Sequence, residues 1–185
     1  MALTESTMLP LGTTAPNFHI RDVVSDRYFT LEDLASQTAT VIMFICNHCP
    51  FVIHVNPELV RVAQDYRAKG VSFVAISSND VTTHPEDAPD KMSIVAKVLK
   101  FPFPYLYDKH QEVAKAYAAA CTPDFYVFDG QKKLTYRGRL DNSRPGNNVP
   151  LTGQDLRRAI DATIDGEVTD PQYPSMGCNI KWKNA

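Results

Sequence analysis

An apolar run at positions 40–45, followed at once by two cysteines, constrains this sequence more than any other feature. The run reads TVIMFI; it is rich in β-branched residues and does not alternate between polar and apolar positions. Such a run is typical of a strand that is buried on both faces of a sheet. From Pro50 to position 69, apolar residues recur at helical spacing. We therefore expect Cys46 and Cys49 to lie where a buried strand passes into a helix.

A second apolar run, at 71–77, predicts another buried strand, so that 40–77 forms a strand–helix–strand unit with parallel strands. The segment 79–90 contains two prolines and several Asp and Thr residues, which predicts a surface loop. The remaining predicted elements are strands at 18–23, 124–128 and 133–140, a helical turn capped by Thr30, and helices at 91–99, 111–119 and from the N-cap Thr152 to 164.

The composition is that of one compact α/β domain covering residues 1–185. With a net charge of -2 and a pI near 6.2, the chain lacks the basic field that holds nucleic acid. The first eleven residues lack the pattern of a signal peptide, and no segment has the length of apolar residues that a membrane helix needs. We expect a cytoplasmic protein that binds neither nucleic acid nor membranes, and in that compartment structural disulfides are rare.

The spacing of Cys46 and Cys49 suits reversible disulfide chemistry. A cysteine reacts as its thiolate, and the unpaired N–H groups at the start of a helix stabilise that anion. The first sulfur can lie exposed while the second reaches it from the first helical turn, so we expect Cys46 to be the more exposed and the more acidic thiol. Half of a zinc site is the alternative, but Cys121 and Cys178 stand alone in the sequence. The pattern favours redox chemistry, with no metal and no cofactor.

A second feature is the proline at Pro123, which directly precedes a predicted strand. Proline cannot donate to a β-ladder and often marks a tight turn, where a cis bond occurs in a minority of cases. From the residues alone, an ordinary trans bond between Thr122 and Pro123 remains the more common case.

Together with the cysteine pair, these segments resemble the thioredoxin fold and, more narrowly, the peroxiredoxin-like branch of the AhpC/TSA thioredoxin superfamily. The resemblance covers nearly the whole chain and is carried by residues 12–18, 44–50, 121–125 and 174–182. It implies a central mixed β-sheet flanked by helices, with an N-terminal extension and a C-terminal tail. It also implies that the Thr122–Pro123 bond is cis, that Pro123 lies against the cysteine pair, and that the Thr122 backbone is open to an extended substrate.

The chain departs from true peroxiredoxins at two catalytic positions. The cysteine that attacks peroxide in that family corresponds to Cys49, and Cys46 stands where a Thr or Ser would precede it by three residues. The arginine of that family aligns with Thr135, and Arg137 and Arg139 are out of register. The resemblance therefore argues against efficient peroxidase activity.

The sequence thus predicts a thiol–disulfide oxidoreductase with a redox or antioxidant role, in which Cys46 attacks and Cys49 resolves the mixed disulfide. One alternative is a thiol-dependent peroxidase in which Cys49 is oxidised and Cys46 resolves. Another is a non-catalytic binding or zinc module that uses the groove beside Pro123. The expected partners are protein or small-molecule disulfides and thiols, together with a cellular reductant. The expected supporting residues are Asn47, His48, Pro50, Thr122 and Pro123.

Two assignments remain open between a functional and a structural interpretation: that of His48 and that of the two single cysteines. As a cation beside a helix start, His48 would stabilise the thiolate, or it is a surface histidine in a loop. Cys121 and Cys178 are auxiliary thiols or buried small hydrophobes. The tail at 171–185 carries too many apolar residues to extend into solvent, so we expect it to pack on the domain. That packing would place Cys178 near the other cysteines or on the far side.

Overall fold

The computed structural model describes residues 3–184. Its strands are β1 (Leu3–Glu5), β2 (His19–Asp22), β3 (Tyr28–Thr30), β4 (Ala39–Phe44), β5 (Val71–Ser77), β6 (Tyr105–Tyr107), β7 (Cys121–Thr122), β8 (Asp124–Asp129), β9 (Leu134–Gly138) and β10 (Met176–Asn179). Its α-helices are α1 (Leu31–Leu34), α2 (Pro50–Arg67), α3 (Pro89–Val98), α4 (Glu112–Ala116) and α5 (Gln154–Ile164).

The larger sheet is mixed and has seven strands in the order β3-β2-β6-β5-β4-β8-β9. Strand β4 lies in its interior, parallel to β5 and antiparallel to β8, and all six of its residues are buried. An uninterrupted apolar run suits this position because side chains on both faces meet other side chains. The predicted mixed α/β fold class is confirmed.

The two faces of this sheet have separate hydrophobic cores. Alternation along β4 places Val41 and Met43 in one core with residues of α2 and α5, and places Ile42 and Phe44 in the other. Cys46, Cys49 and Cys178 belong to the first core. The face of the sheet that carries α2 and α5 is therefore the face that carries three of the four thiols.

A smaller antiparallel sheet has three strands in the order β1-β10-β7. Its middle strand comes from the tail, for which the sequence shows no periodicity, and it pairs Cys178 with Thr122 on one side and with Leu3 on the other. The tail therefore packs on the domain. It pairs with β7 on one side and with the N-terminal strand β1 on the other.

Two sequence-based expectations are wrong for reasons that the structure makes clear. Helix α5 is capped by Gly153 in a left-handed conformation (φ +67°), not by Thr152. The carboxylate of Asp141 accepts the N–H groups of both residues, which fixes that turn. The predicted surface loop at 79–90 includes a 3-10 turn, Pro85–Asp87, and Asp87 is completely buried. No helix within residues 3–184 has the length and apolarity needed to cross a membrane.

Candidate active site

Cys46 and Cys49 lie between the end of β4 and the start of α2. Cys49 is the N-cap of the helix and Pro50 occupies its first turn, where proline loses no hydrogen bond. Cys46 is 2% exposed and Cys49 is fully buried. The expectation of an exposed Cys46 is therefore wrong. Other segments of the chain, distant in sequence, cover both sulfurs.

One covering segment is β7 and the proline that follows it. The Thr122–Pro123 peptide bond is cis. The Thr122 hydroxyl lies 3.4 Å from Cys46 Sγ, and its carbonyl oxygen lies 3.2 Å from Cys49 Sγ, close enough to accept from the protonated thiol. Thr122 thus contacts both cysteines of the pair, and Pro123 follows it immediately. The structure brings these four predicted site residues together.

The acidity of the two thiols is opposite to the order expected from the sequence. A hydrogen bond from the Cys46 thiol lowers the pKa of Cys49 to about 5, against the opposing effect of burial, and Cys178 and the N–H of Val52 add to this stabilisation. The same hydrogen bond, together with burial and the nearby charge of Asp87, raises the pKa of Cys46. Cys49 is therefore the more acidic thiol of the pair, and Cys46 is the less acidic thiol that donates to it.

Asp87 organises the loop between the cysteines and is a functional candidate that sequence reasoning missed. Its carboxylate accepts from the backbone N–H groups of Asn47 and His48 and from the side chain of Asn79. The imidazole of His48 lies 2.7 Å from the same carboxylate and also stacks on His84. His48 is therefore bonded to a carboxylate and not to a sulfur.

Asn47 holds the other end of this loop. Its amide donates to the Glu86 carbonyl at 2.8 Å, and its oxygen accepts from the Tyr105 hydroxyl at 3.2 Å. Tyr105 is completely buried, and burial raises the pKa of its hydroxyl. Tyr105 therefore packs in the core and also anchors the cysteine loop.

The donor atoms of Cys46, His48 and Asp87 lie within 4.8 Å of one another, close enough to share one metal ion. A thiolate, an imidazole and a carboxylate are a ligand set that Zn²⁺ accepts. The sequence-based case against a metal site rested on the spacing of the cysteines and did not include Asp87. His48 and Asp87 already contact each other at 2.7 Å, so a metal ion bound by all three residues would have to replace that contact.

Cys178 is the third thiol of the site. Its Sγ lies 2.7 Å from Cys49 Sγ, and burial raises its pKa to about 12. Cys121 lies on the neighbouring strand and is fully buried, and its sulfur is 3.8 Å from the Pro123 carbonyl oxygen. Burial raises its pKa. Of the two candidate auxiliary thiols, only Cys178 is placed against the cysteine pair.

The arginines of β9 and the loop after it face different parts of the molecule. Arg137 is fully buried on the face opposite Cys49, where it pairs with Asp124 at 2.9 Å and stacks on Tyr126. Burial raises the pKa of Asp124 to about 6, although Arg137 opposes this. Thr135 sits at a bulge of β9 and bonds to Thr163 of α5. Arg137 therefore supplies no cation to Cys49. Thr135, which aligns with the arginine of true peroxiredoxins, carries no charge.

A cavity of about 220 Å³ opens beside the site. Phe51 and Pro123 line its side nearest the cysteines, and Met176 contributes from the tail strand. Arg139 and Arg144 line the rest together with acidic and aromatic side chains. A small molecule bound here would lie next to the start of α2.

Comparison with known proteins identifies both the fold and the relatives. Residues 11–137 match the model of the AhpC/TSA family. A search of curated proteins gives no match. Among solved structures, an uncharacterized conserved protein from Geobacillus kaustophilus is 59% identical, with a TM-score of 0.98 over 100% of this chain and 98% of that chain.

Two further structures extend the comparison. A hypothetical protein from Sinorhizobium meliloti 1021 is 43% identical, with a TM-score of 0.95 over 98% of this chain and 100% of that chain. The thioredoxin domain of a thiol-disulfide oxidoreductase from Bacteroides vulgatus is 14% identical, with a TM-score of 0.63 over 83% of this chain and 99% of that chain. The predicted thioredoxin fold is confirmed.

Proposed function

The chain belongs to the AhpC/TSA family, and on that premise we propose that it is a thiol–disulfide oxidoreductase. In this proposal, Cys46 and Cys49 cycle between a dithiol and a disulfide. The observation that carries it is the position of Cys49 at the N-cap of α2, next to Cys46 and 3.2 Å from the Thr122 carbonyl oxygen; the hydrogen bond from Cys46 lowers its pKa to about 5. Cys49, not Cys46 as expected from the sequence, is the attacking thiolate.

The cycle has two exchange steps. The Cys49 thiolate attacks a sulfur of an external disulfide, a mixed disulfide forms, and one thiolate leaves. The Cys46 thiol then loses its proton and attacks Cys49 Sγ, which forms the Cys46–Cys49 disulfide and releases the second thiol. A cellular dithiol reductant runs these steps in reverse and restores the reduced pair.

The hydrogen bond between the two sulfurs gives this order a physical reason. The largest cause of the raised pKa of Cys46 is its hydrogen bond to Cys49. Once Cys49 carries no negative charge, as in the mixed disulfide, Cys46 no longer stabilises an anion by keeping its proton. Cys46 therefore becomes easier to deprotonate at the step in which it must attack.

Burial of the sulfurs favours small substrates over folded proteins. Both cysteines of the pair are at most 2% exposed, whereas the cavity beside Phe51 and Pro123 has room for a small thiol compound. Arg139 on its wall is already paired with Asp155 at 2.7 Å, so Arg144 is the cation that would meet a carboxylate of the substrate.

A second candidate function is a thiol peroxidase, which the acidity of Cys49 favours. The Cys49 thiolate would take one oxygen from a hydroperoxide, releasing an alcohol and becoming a sulfenic acid, and Cys46 would then displace water. Against efficient turnover, Arg137 lies on the opposite face of the sheet, and Cys46 replaces a hydroxyl residue of that family.

The test gives the reduced protein a limiting amount of hydroxyethyl disulfide or, separately, of hydrogen peroxide. Mass spectrometry follows the cysteine states with time. We expect Cys46→Ser to react with the disulfide first at Cys49, and wild type to form the Cys46–Cys49 disulfide. Rapid oxidation by peroxide alone would replace the proposal by the peroxidase, and first reaction at Cys46 would reverse the roles. Stoichiometric Zn²⁺ bound by the purified protein and lost in Asp87→Asn would support the zinc module instead.

A further inference from the structure

The tail strand occupies the place at which an extended substrate was expected to pair. The sequence-based expectation was that the Thr122 backbone is open to an external segment. In the structure, Thr122 is instead paired antiparallel with Cys178, one strand position from the proline. The chain therefore fills its own substrate position, and that expectation is wrong.

The fit of this strand is close. A Cβ at Gly177 would lie 2.0 Å from the Thr122 carbonyl oxygen, which no side chain tolerates. Glycine at this position lets β10 approach β7 so closely that the next residue, Cys178, meets Cys49, with the two sulfurs 2.7 Å apart. Non-bonded sulfurs normally lie well beyond that distance.

Contacts on both sides of Cys178 hold the strand in this register. Before it, Ser175 donates to the Gly138 carbonyl through its hydroxyl at 2.6 Å and to the Ser6 hydroxyl through its backbone N–H at 2.9 Å. After it, the Ile180 N–H donates to the Ala120 carbonyl at 3.1 Å. The position of Cys178 is thus built by the fold and does not result from a loose end.

We propose that Cys178 is a second disulfide partner of Cys49, carried by a tail strand that serves as a substrate segment built into the chain. The inference rests on the proposed function, because it needs Cys49 to react with disulfides. Cys46 and Cys178 then compete for one sulfur, and the site has two alternative disulfides, Cys46–Cys49 and Cys49–Cys178.

The chemistry balances with a small disulfide as the only oxidant. The Cys49 thiolate attacks that disulfide, one thiolate leaves, and a mixed disulfide remains on Cys49. Cys178 loses its proton to solvent and attacks Cys49 Sγ. The bond from Cys49 to the small thiol breaks, its electron pair leaves with that thiol, and the Cys49–Cys178 bond forms.

The two disulfides can also interconvert without further oxidation. In Cys46–Cys49, the Cys178 thiolate attacks Cys49 Sγ, the Cys46–Cys49 bond breaks, and Cys46 leaves as the thiolate and takes up a proton. The chain holds one disulfide before and after this exchange, so its oxidation state does not change. The result is a disulfide between α2 and the tail that leaves Cys46 reduced.

The experiment uses the full chain with Cys46→Ser and a limiting amount of hydroxyethyl disulfide. We expect this variant to lose two thiols and to give one cross-linked peptide that joins Cys49 to Cys178 in non-reduced peptide mapping. The double variant Cys46→Ser, Cys178→Ser should instead keep the mixed disulfide at Cys49. Cys46→Ser, Cys121→Ser is the matched control and should cross-link as Cys46→Ser does.

The inference is overturned if the mixed disulfide persists equally in Cys46→Ser and in the double variant that lacks Cys178. Wild type treated in the same way reports on the proposed function separately, through its Cys46–Cys49 disulfide and catalytic turnover. Normal turnover in wild type with no cross-link in Cys46→Ser removes only the second disulfide, and no reaction of Cys49 in any protein removes both. Peptide mapping of partly oxidised wild type gives the ratio of the two disulfides without any substitution.

Discussion

Cys46 reaches Cys49 through a loop of two residues, whereas Cys178 comes from 129 positions away, in the middle of a β-ladder. The loop side is set by polar contacts to one buried carboxylate, that of Asp87. The tail side is set by backbone pairing and by a glycine that permits close approach. Changes in charge should therefore act on the loop side, and changes in backbone packing should act on the tail side.

The largest effect is expected from Cys49→Ser, because Cys49 belongs to both thiol pairs. We expect loss of disulfide exchange by about 100-fold or more, since no remaining thiol has a lowered pKa. Turnover of hydroxyethyl disulfide with a dithiol reductant measures this, with Cys121→Ser as the control that keeps wild-type turnover. Substantial turnover in Cys49→Ser would mean that Cys46 attacks after all.

Gly177→Ala should damage the tail side alone. The added Cβ would lie 2.0 Å from the Thr122 carbonyl oxygen, so β10 must shift, which we expect to lower the free energy of unfolding by roughly 1–3 kcal/mol. Peptide mapping after mild oxidation should show less Cys49–Cys178 and, because the two disulfides share Cys49, correspondingly more Cys46–Cys49.

The matched control for that change is Gly166→Ala. There a Cβ meets nothing within 4 Å, and its cost comes only from the positive φ of +76°. It should lower stability without changing the ratio of the two disulfides. An equal change in ratio would show that general destabilisation, and not the contact at Gly177, controls the tail disulfide.

Asp87→Asn should damage the loop side alone. The change leaves buried N–H donors poorly matched, at an expected cost of about 1–3 kcal/mol in the free energy of unfolding. Because the charge of Asp87 contributes to the raised pKa of Cys46, that pKa should fall. Thiolate absorbance during a pH titration of reduced protein measures it, and Glu86→Gln, an exposed neighbour, is the control. An unchanged pKa of Cys46 would contradict this assignment.

The last prediction concerns the pH dependence of stability. With a pKa near 5 in the folded protein and an ordinary value of 9.0, the Cys49 thiolate stabilises the fold fully above about pH 9 and loses that contribution as the pH falls through about 5. The difference in free energy of unfolding between wild type and Cys49→Ser should therefore rise from pH 5 to pH 9. Urea titrations of reduced protein measure it, and a flat difference would rule out a lowered pKa for Cys49.

The sequence predicted the parts of the site that are local in the chain. The run at 40–45 and the Cys46–Cys49 pair indicate a strand, a turn and a helix because periodicity and capping act over a few residues. The order of acidity could not be predicted in this way, because Cys178 and Asp87 approach from distant segments. The hydrogen bond from Cys46 to Cys49 is the largest cause of the reversed order, and these two neighbours add to it.

Asp87 and Arg139 show two different limits of sequence reasoning. A segment with prolines, Asp and Thr is usually exposed, but the carboxylate of Asp87 is buried because it accepts backbone N–H groups that would otherwise be unpaired. A carboxyl residue in such a loop close to a buried strand end is the only signal available. Arg139 follows the bulge at β9. The bulge changes which side chains after it face the cavity, and an alternating sequence pattern does not reveal a bulge.

Because β10 is the middle strand of the small sheet, it cannot leave β7 by itself. It must either carry β1 with it or break both ladders at once. Local opening around Cys49 is therefore a cooperative event whose free energy includes residues 3–5, which pair with β10 and not with β7. The rate at which large molecules reach the thiols then depends on the whole three-stranded sheet, including β1 at the opposite end of the chain.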